Sequence, residues 1–201
     1  MEKLIGNKNI AVFISGRGTN LKALINFSKK TKRFNITSVV SDNKDAKGLT
    51  FVKKNKIKYL LVNYKNKSCS EKKIYNFIKK EKVSLVALAG FMRILSKKLI
   101  KKIKIPIVNI HPSLLPKYKG LNTHARALEA NDPIAGCTVH LVTPKLDAGP
   151  VLAYAEVAIQ KSETIESLAS KVLIEEHKLY PKVLLNFSNQ IIKSMGAHNC
   201  T

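Results

Sequence analysis

The feature that most limits what this chain can fold into is the alternation of short β-branched runs with amphipathic stretches up to residue 111. "NIAVFIS" is followed by "TNLKALINFSKK", "NITSVVS" by "AKGLTFVKKN", "KYLLV" by "SEKKIYNFIKK" and "SLVALAG" by "SKKLIKKI", and the series ends on "IPIVNIH". Strand and helix in repeated alternation predict an α/β fold, a parallel sheet with helices packed on its faces. The strands agree, because they are apolar nearly throughout and a strand covered on both faces needs no polar alternation. After residue 111 the rhythm changes. A loop holding Pro112, Pro116 and Gly120 leads to a short helix near 124–130, then to two further strands, "CTVHLVT" and "VLAYAEVAI". A long helix over about 164–187 closes the chain, with Ser162 or Thr164 as its cap ahead of Glu166.

With 201 residues and 45% hydrophobic content, the chain is long enough to bury a core as one domain spanning 1–201. Its longest uncharged apolar-rich stretch, 83–92, is about half the ~20 residues a membrane-spanning helix requires. The start, "MEKLIGNKNI", lacks the apolar core of a secretory signal, so the expected location is the cytoplasm. Cys69, Cys137 and Cys200 are odd in number and far apart, which indicates neither a disulfide framework nor a zinc site. The net charge of +23 invites a nucleic-acid reading. Only Arg17, Arg33, Arg93 and Arg126 among the 36 basic residues are arginines, however, and aromatics make up 6%. Base readers favour arginine forks and single-strand binders interleave aromatics, so the charge reads as a solvated lysine surface with no nucleic-acid partner. Such a field still attracts small anions.

In open α/β sheets ligands gather beyond the carboxyl ends of the strands, which here means 15–20, 90–95 and 109–111. In "SGRGTN", Gly16 and Gly18 permit backbone shapes and close approaches closed to other residues, and the amides of Gly18, Thr19 and Asn20 open a helix whose dipole favours an anion. A side chain at Gly18 is expected to crowd that anion. The third glycine of the dinucleotide fingerprint and the lysine of a P-loop are both missing, so the motif fits one terminal phosphate; an ordinary strand-to-helix turn would look alike. In "NIHPSLLPKYKG", Asn109 and His111 share one strand face while Ile110 points into the core, and Pro112 holds the pair at the lip of the sheet. A histidine there can hold or move a proton, and the asparagine offers an N–H to a developing oxyanion. Asp147, in the turn "KLDAGP", would favour the imidazolium and orient the ring if it reached His111; otherwise it forms an Asx-type turn. His140 shares a face with Thr138 and is either a partner of this group or a core histidine.

Taken in order, "SGRGTN", "LAGFMRIL", "NIHPSLLPKYKG", "TVH" and "LDAGP" resemble the phosphoribosylglycinamide formyltransferase family, folate-dependent enzymes of purine biosynthesis. The resemblance covers about 9–188. It implies the formyltransferase fold, Rossmann-like and mostly parallel with antiparallel strands toward the C-terminal half. It also implies transfer of a formyl group from 10-formyltetrahydrofolate to the amine of glycinamide ribonucleotide, without a metal, by a monomer or homodimer. Gly16, Arg17, Gly18, Thr19 and Asn20 would surround the substrate phosphate, with Gly90 and Pro112 beside the glycinamide chain. Met92, Arg93, Ile94 and Leu95 would line the folate pocket through backbone and apolar contact. Asn109, His111 and Asp147 would be the catalytic trio, Asn109 also touching folate, and Glu176 would bind ribose hydroxyls. Leu173 departs from the family, which often has glutamine there; 65–84 is short, leaving either Lys72 or Lys73 as the basic residue toward folate; and the tail after Phe187 is brief. Methionyl-tRNA formyltransferase and formyl-folate deformylase share the core but carry an added domain. An oxidoreductase would need the full glycine fingerprint, although Asp42 stands at a tolerable distance for its ribose-binding acid.

Overall fold

The computed structural model describes residues 9–197, so Cys200 lies outside the described residues; Cys69 and Cys137 are free thiols. Strands β1 (Asn9–Ile14), β2 (Asn35–Ser41), β3 (Lys58–Leu61), β4 (Leu85–Leu88), β5 (Ile107–His111), β6 (Ile134–Leu141) and β7 (Val151–Ala158) form one sheet in the order β3-β2-β1-β4-β5-β6-β7. The first five are parallel, as their alternation with helices requires. The last two run antiparallel to their neighbours. Strand order reverses between β1 and β4, which opens a crevice between their carboxyl ends.

Helices α1 (Thr19–Thr31), α2 (Leu49–Lys54), α3 (Lys67–Lys80), α4 (Lys97–Ile103), α5 (Thr123–Glu129) and α6 (Ile165–Ala197) complete the fold. Two cores form, one on each side of the sheet. On one side Leu21 and Leu24 of α1 and Leu168, Val172 and Leu184 of α6 pack on Ile10, Val12, Val108, Ile110, Cys137 and Val139. On the other, Ile74 and Ile78 of α3 and Leu99 and Ile103 of α4 pack on Ala11, Phe13, Val86, Leu88 and Ile107. Side chains alternate along β5, so Asn109 and His111 share the face of Ile107 but lie further along it, at the carboxyl end of the strand.

The helix ends follow local chemistry. Ser96 caps α4 by accepting from the Leu99 N–H at 3.0 Å, and Glu71 of α3 in turn accepts from the Ser96 N–H and hydroxyl. Thr164 caps α6. Its hydroxyl accepts from the Ser167 N–H at 3.1 Å while the Ser167 hydroxyl faces the Thr164 N–H at 3.0 Å, a reciprocal box with serine in the place of the usual glutamate. Three boundaries differ from expectation. A 3-10 turn, Tyr64–Asn66, precedes α3, which begins at Lys67 because the Asn66 side chain accepts from the Cys69 N–H. Helix α2 begins after Gly48. Helix α6 continues beyond Phe187 to Ala197, since "SNQIIKSMGA" has no strong helix breaker before Gly196.

A buried tyrosine locks α6 to the sheet. The Tyr180 hydroxyl lies 2.9 Å from the Leu88 carbonyl and 3.0 Å from the Val108 carbonyl, bridging the carboxyl end of β4 and the start of β5. Burial pushes its phenol far up, with Glu176 adding to the shift, so the proton stays in place to be donated. Replacing Tyr180 by Phe keeps the ring and leaves two buried acceptors without this donor. Stability should fall by about 1–3 kcal/mol, read from urea denaturation; an unchanged midpoint would show that the hydroxyl does not hold the strands.

Candidate active site

The crevice at the strand reversal is built from two turns. After β1 the chain passes through Ser15 to Gly18, whose φ of 70° places it in the left-handed region that favours glycine. No side chain caps α1 there, so the first amides of a 13-residue helix face outward with their dipole uncompensated. Gly18 is required for a second reason: an added Cβ would stand 2.5 Å from the Gly48 Cα. The protein atom a side chain at Gly18 would strike belongs to the backbone of the β2–α2 connection. Gly16 differs from expectation too, since an added Cβ there meets nothing and its φ is not left-handed. Across the crevice Gly90, at φ 77°, turns the chain after β4, and its carbonyl accepts from the Ser15 N–H at 3.1 Å.

A second group forms where β5 meets β6. Asn109 pairs with His140 and His111 with Thr138, so the antiparallel register puts these four side chains on one patch of one sheet face. The His140 Nδ1 lies 2.9 Å from the Leu141 carbonyl, which can only accept; Nδ1 therefore carries the proton. Its Nε2 then receives the Asn109 Nδ2–H at 3.2 Å, which orients the amide and leaves its second N–H free. Thr138 donates to the Ser113 carbonyl at 2.7 Å and accepts from the Leu115 N–H at 3.0 Å, holding the turn after His111.

Asp147 closes this group from the opposite direction. At φ 43° it projects its carboxylate back across the cleft, where Oδ2 lies 3.5 Å from His111 Nδ1 and accepts from the Gly120 N–H at 3.0 Å. Oδ1 is 3.6 Å from His140 Nε2. The carboxylate thus cross-links distant segments, and the Asx-turn alternative does not describe it. Burial pulls its carboxyl upward, but the neighbouring His140 and His111 rings and the Gly120 amide outweigh that and hold it below the usual carboxylate range. His111 Nε2 donates to the Tyr118 carbonyl at 2.9 Å. His140 is both of the alternatives its sequence position left open, being 2% exposed and in contact with Asn109 and Asp147.

The remaining expected residues are dispersed more widely. Asn20 and Glu176 meet each other: the Asn20 amide donates to Glu176 at 2.6 Å, both are buried, and the Asn20 Oδ1 has no partner. Burial raises the Glu176 carboxyl, opposed by the Asn20 bond. Arg17 is exposed, Thr19 half-buried, and Pro112 half-buried beside His111. Met92 and Ile94 are each 64% exposed, but the Leu95 side chain is buried in the core under α4, so only its backbone could face a ligand. Lys72 and Lys73 both lie on the exposed side of α3, and neither is singled out.

Residues 8–184 match the formyl transferase family. The chain belongs to that family. It is 38% identical over 185 residues to the phosphoribosylglycinamide formyltransferase of Haemophilus influenzae, covering 90% of this chain and 87% of the relative. It is also 37% identical over 179 residues to the trifunctional purine biosynthetic protein adenosine-3 of Bos taurus, covering 87% of this chain but only 18% of that longer protein. The crystal structure of phosphoribosylglycinamide formyltransferase from Anaplasma phagocytophilum superposes with a TM-score of 0.86 at 39% identity, covering 92% of this chain and 89% of that one. No helix among the described residues is long and apolar enough to cross a membrane.

Several residues that shape this candidate site carry no motif signal of their own. Thr138 looks like any strand threonine until the register places it opposite His111. Tyr118 acts through its backbone carbonyl, which any residue supplies. Asp42 drew notice only as a possible ribose acid. It is instead held by Ser15 and Arg93. Because the Asp147 carboxyl is depressed in the folded chain, its contribution to stability is complete above the unfolded value of about 3.9 and is lost as pH falls through the folded value. Asp147→Asn should flatten the dependence of unfolding free energy on pH below about 4. A slope equal to wild type in that range would show that Asp147 is not ionised by these contacts.

Proposed function

We propose that this chain transfers the formyl group of 10-formyltetrahydrofolate to the amine of glycinamide ribonucleotide. The observation that supports this reading best is the convergence of Asn109, His111 and Asp147 on one face at the carboxyl end of the sheet. An amine attacking a formyl carbon places negative charge on a tetrahedral oxygen and needs a proton moved from the amine to the departing folate nitrogen. The free N–H of Asn109 supplies a donor to such an oxygen, with His111 beside it as the group that can hold or move a proton, and a preorganised donor of this kind is worth about 2.7–4 kcal/mol. Asp147 orients the His111 ring and, through a water, takes up the proton the amine loses and passes it on to the departing folate nitrogen.

Around this centre the two ligands divide the crevice. The phosphate sits at the amides after Gly18, with Gly16, Arg17, Thr19 and Asn20 about it, and Glu176 takes the ribose hydroxyls. Gly90 and Pro112 flank the glycinamide chain. Folate lies along Met92, Arg93, Ile94 and the backbone of Leu95, with Lys72 or Lys73 toward its carboxylates. The chemistry of this assignment needs no resident metal, and both reactants are small molecules.

Formyl transfer between these two substrates, followed by absorbance of the folate product, tests the reading; no turnover would sink it. His111→Asn and Asn109→Ala should each lower kcat by on the order of a hundredfold or more while both KM values stay within a few-fold, because the two groups act on the transition state. Wild-type turnover in either variant removes that residue from the mechanism.

A further inference from the structure

The connection between β2 and α2, residues 42–48 ("DNKDAKG"), contains none of the residues assigned above, yet it touches both turns of the crevice. Asp42 is the clearest case. Its side chain is 3% exposed and both carboxylate oxygens are engaged: Oδ1 receives the Ser15 hydroxyl at 2.5 Å and Oδ2 the Arg93 Nε–H at 2.6 Å. Having donated its proton to Asp42, Ser15 Oγ accepts from the Met92 N–H at 2.8 Å. The result is a closed circuit in which one buried carboxylate fixes the side chain of Arg93 directly and the backbone of Met92 through Ser15. Charge-assisted bonds to a desolvated carboxylate are the strong class of such contacts. The segment that follows Gly90 is thereby set both in path and in side-chain direction by a residue that lies on neither turn.

At the other end of the same connection stands Gly48. Its φ of −58° is ordinary for any residue, so glycine is present there for space alone. An added Cβ would lie 2.7 Å from Ile14 Cδ1, 3.0 Å from Gly18 Cα and 3.3 Å from the Gly16 carbonyl, and the Gly48 N–H donates to that carbonyl at 3.0 Å. Between the two, the Asn43 amide donates to the Ser15 carbonyl at 3.2 Å. Seven consecutive residues therefore brace the Gly16–Gly18 turn from one end and the Met92–Arg93 segment from the other.

We infer that residues 42–48 are a positioning element of the active site, in which Asp42 sets the folate-binding segment and Gly48 sets the phosphate-binding turn. This rests on the formyl-transfer reading, and it separates into two independent substitutions. Asp42→Asn keeps the size of the side chain but can accept only one of its two donors, so Arg93 or Ser15 loses its partner. KM for the formyl-folate should rise about tenfold, with KM for glycinamide ribonucleotide and kcat each within threefold. Gly48→Ala suits the backbone and acts only by pushing on the turn. It should raise KM for glycinamide ribonucleotide by about tenfold or more and leave that for folate within threefold. Ser15→Ala combined with Asp42→Asn should cost little more than Asp42→Asn alone, as expected for members of one circuit.

The experiment is steady-state kinetics of the three variants and wild type, varying each substrate in turn, with thermal melting recorded beside it. The opposite pattern of KM changes in two variants of one short loop is what a general loss of stability would not produce. Equal rises in both KM values, or none, in either single variant overturn the positioning role while leaving the reaction itself standing. If wild type turns over neither substrate, the formyl-transfer reading fails and this inference fails with it. A variant that does not fold is replaced by Asp42→Ser, or by Gly48→Ala combined with Ile14→Val, which removes the Cδ1 that the new Cβ would meet, under the same criterion, with the same outcomes deciding.

Discussion

The antiparallel pairing of β5 with β6 is the constraint on which the site depends. In a sheet wholly parallel to β5, the strand beside Asn109 and His111 would run the same way. Here the chain turns back, so residues 138 and 140 arrive opposite 111 and 109, and the turn after β6 returns Asp147 to the same end of the sheet. A slip of one residue in that register would send Thr138 and His140 to the face of α6 and bring Cys137 and Val139 against the histidine. Burial works against such a slip, because Cys137 and Val139 are fully enclosed in the core beneath α6. The hydrophobic effect on one face thus holds the polar geometry on the other.

Much of the architecture was legible in the residues. Apolar runs and amphipathic stretches located the strands and helices, and the period of two along β5 placed Asn109 and His111 together. What the residues did not carry was the reason for particular details. Gly18 was read as leaving room for an anion, whereas the nearest obstacle to a side chain is Gly48, distant in sequence and brought close only by the β1–β2 pairing. Leu95 stood among the residues of a pocket wall, but its side chain belongs to the core. Asp42 had the spacing of a ribose-binding acid, and only the fold shows that its oxygens are taken by Ser15 and Arg93. Local patterns report local shape; a contact between turns from different strands depends on the sheet order.

The charge of the chain acquires a sharper meaning in the fold. Of only 13 acidic residues, those at 42, 71, 147 and 176 hold loops, helix ends or the site itself. Others pair with single lysines at the surface, as Glu81 with Lys58 and Asp132 with Lys117. Among the described residues only Lys58, Lys117, Lys171 and Lys178 form ion pairs with carboxylates. Mutual repulsion among the lysines opposes compaction and is relieved by salt, while the same field concentrates anions near the crevice.

The loop between β5 and α5 is fastened at several points along its length: Thr138 holds Ser113 and Leu115, Tyr118 is joined to His111 and Asp132, Gly120 to Asp147, and Arg126 donates to the Lys119 carbonyl at 2.8 Å. Each fastening uses groups of the chain itself. The conformational entropy of the segment is therefore surrendered when the protein folds, and an incoming ligand has little of it left to overcome. Recognition by such a wall resembles a rigid cast, whose selectivity comes from shape established beforehand and whose sequence tolerates few insertions.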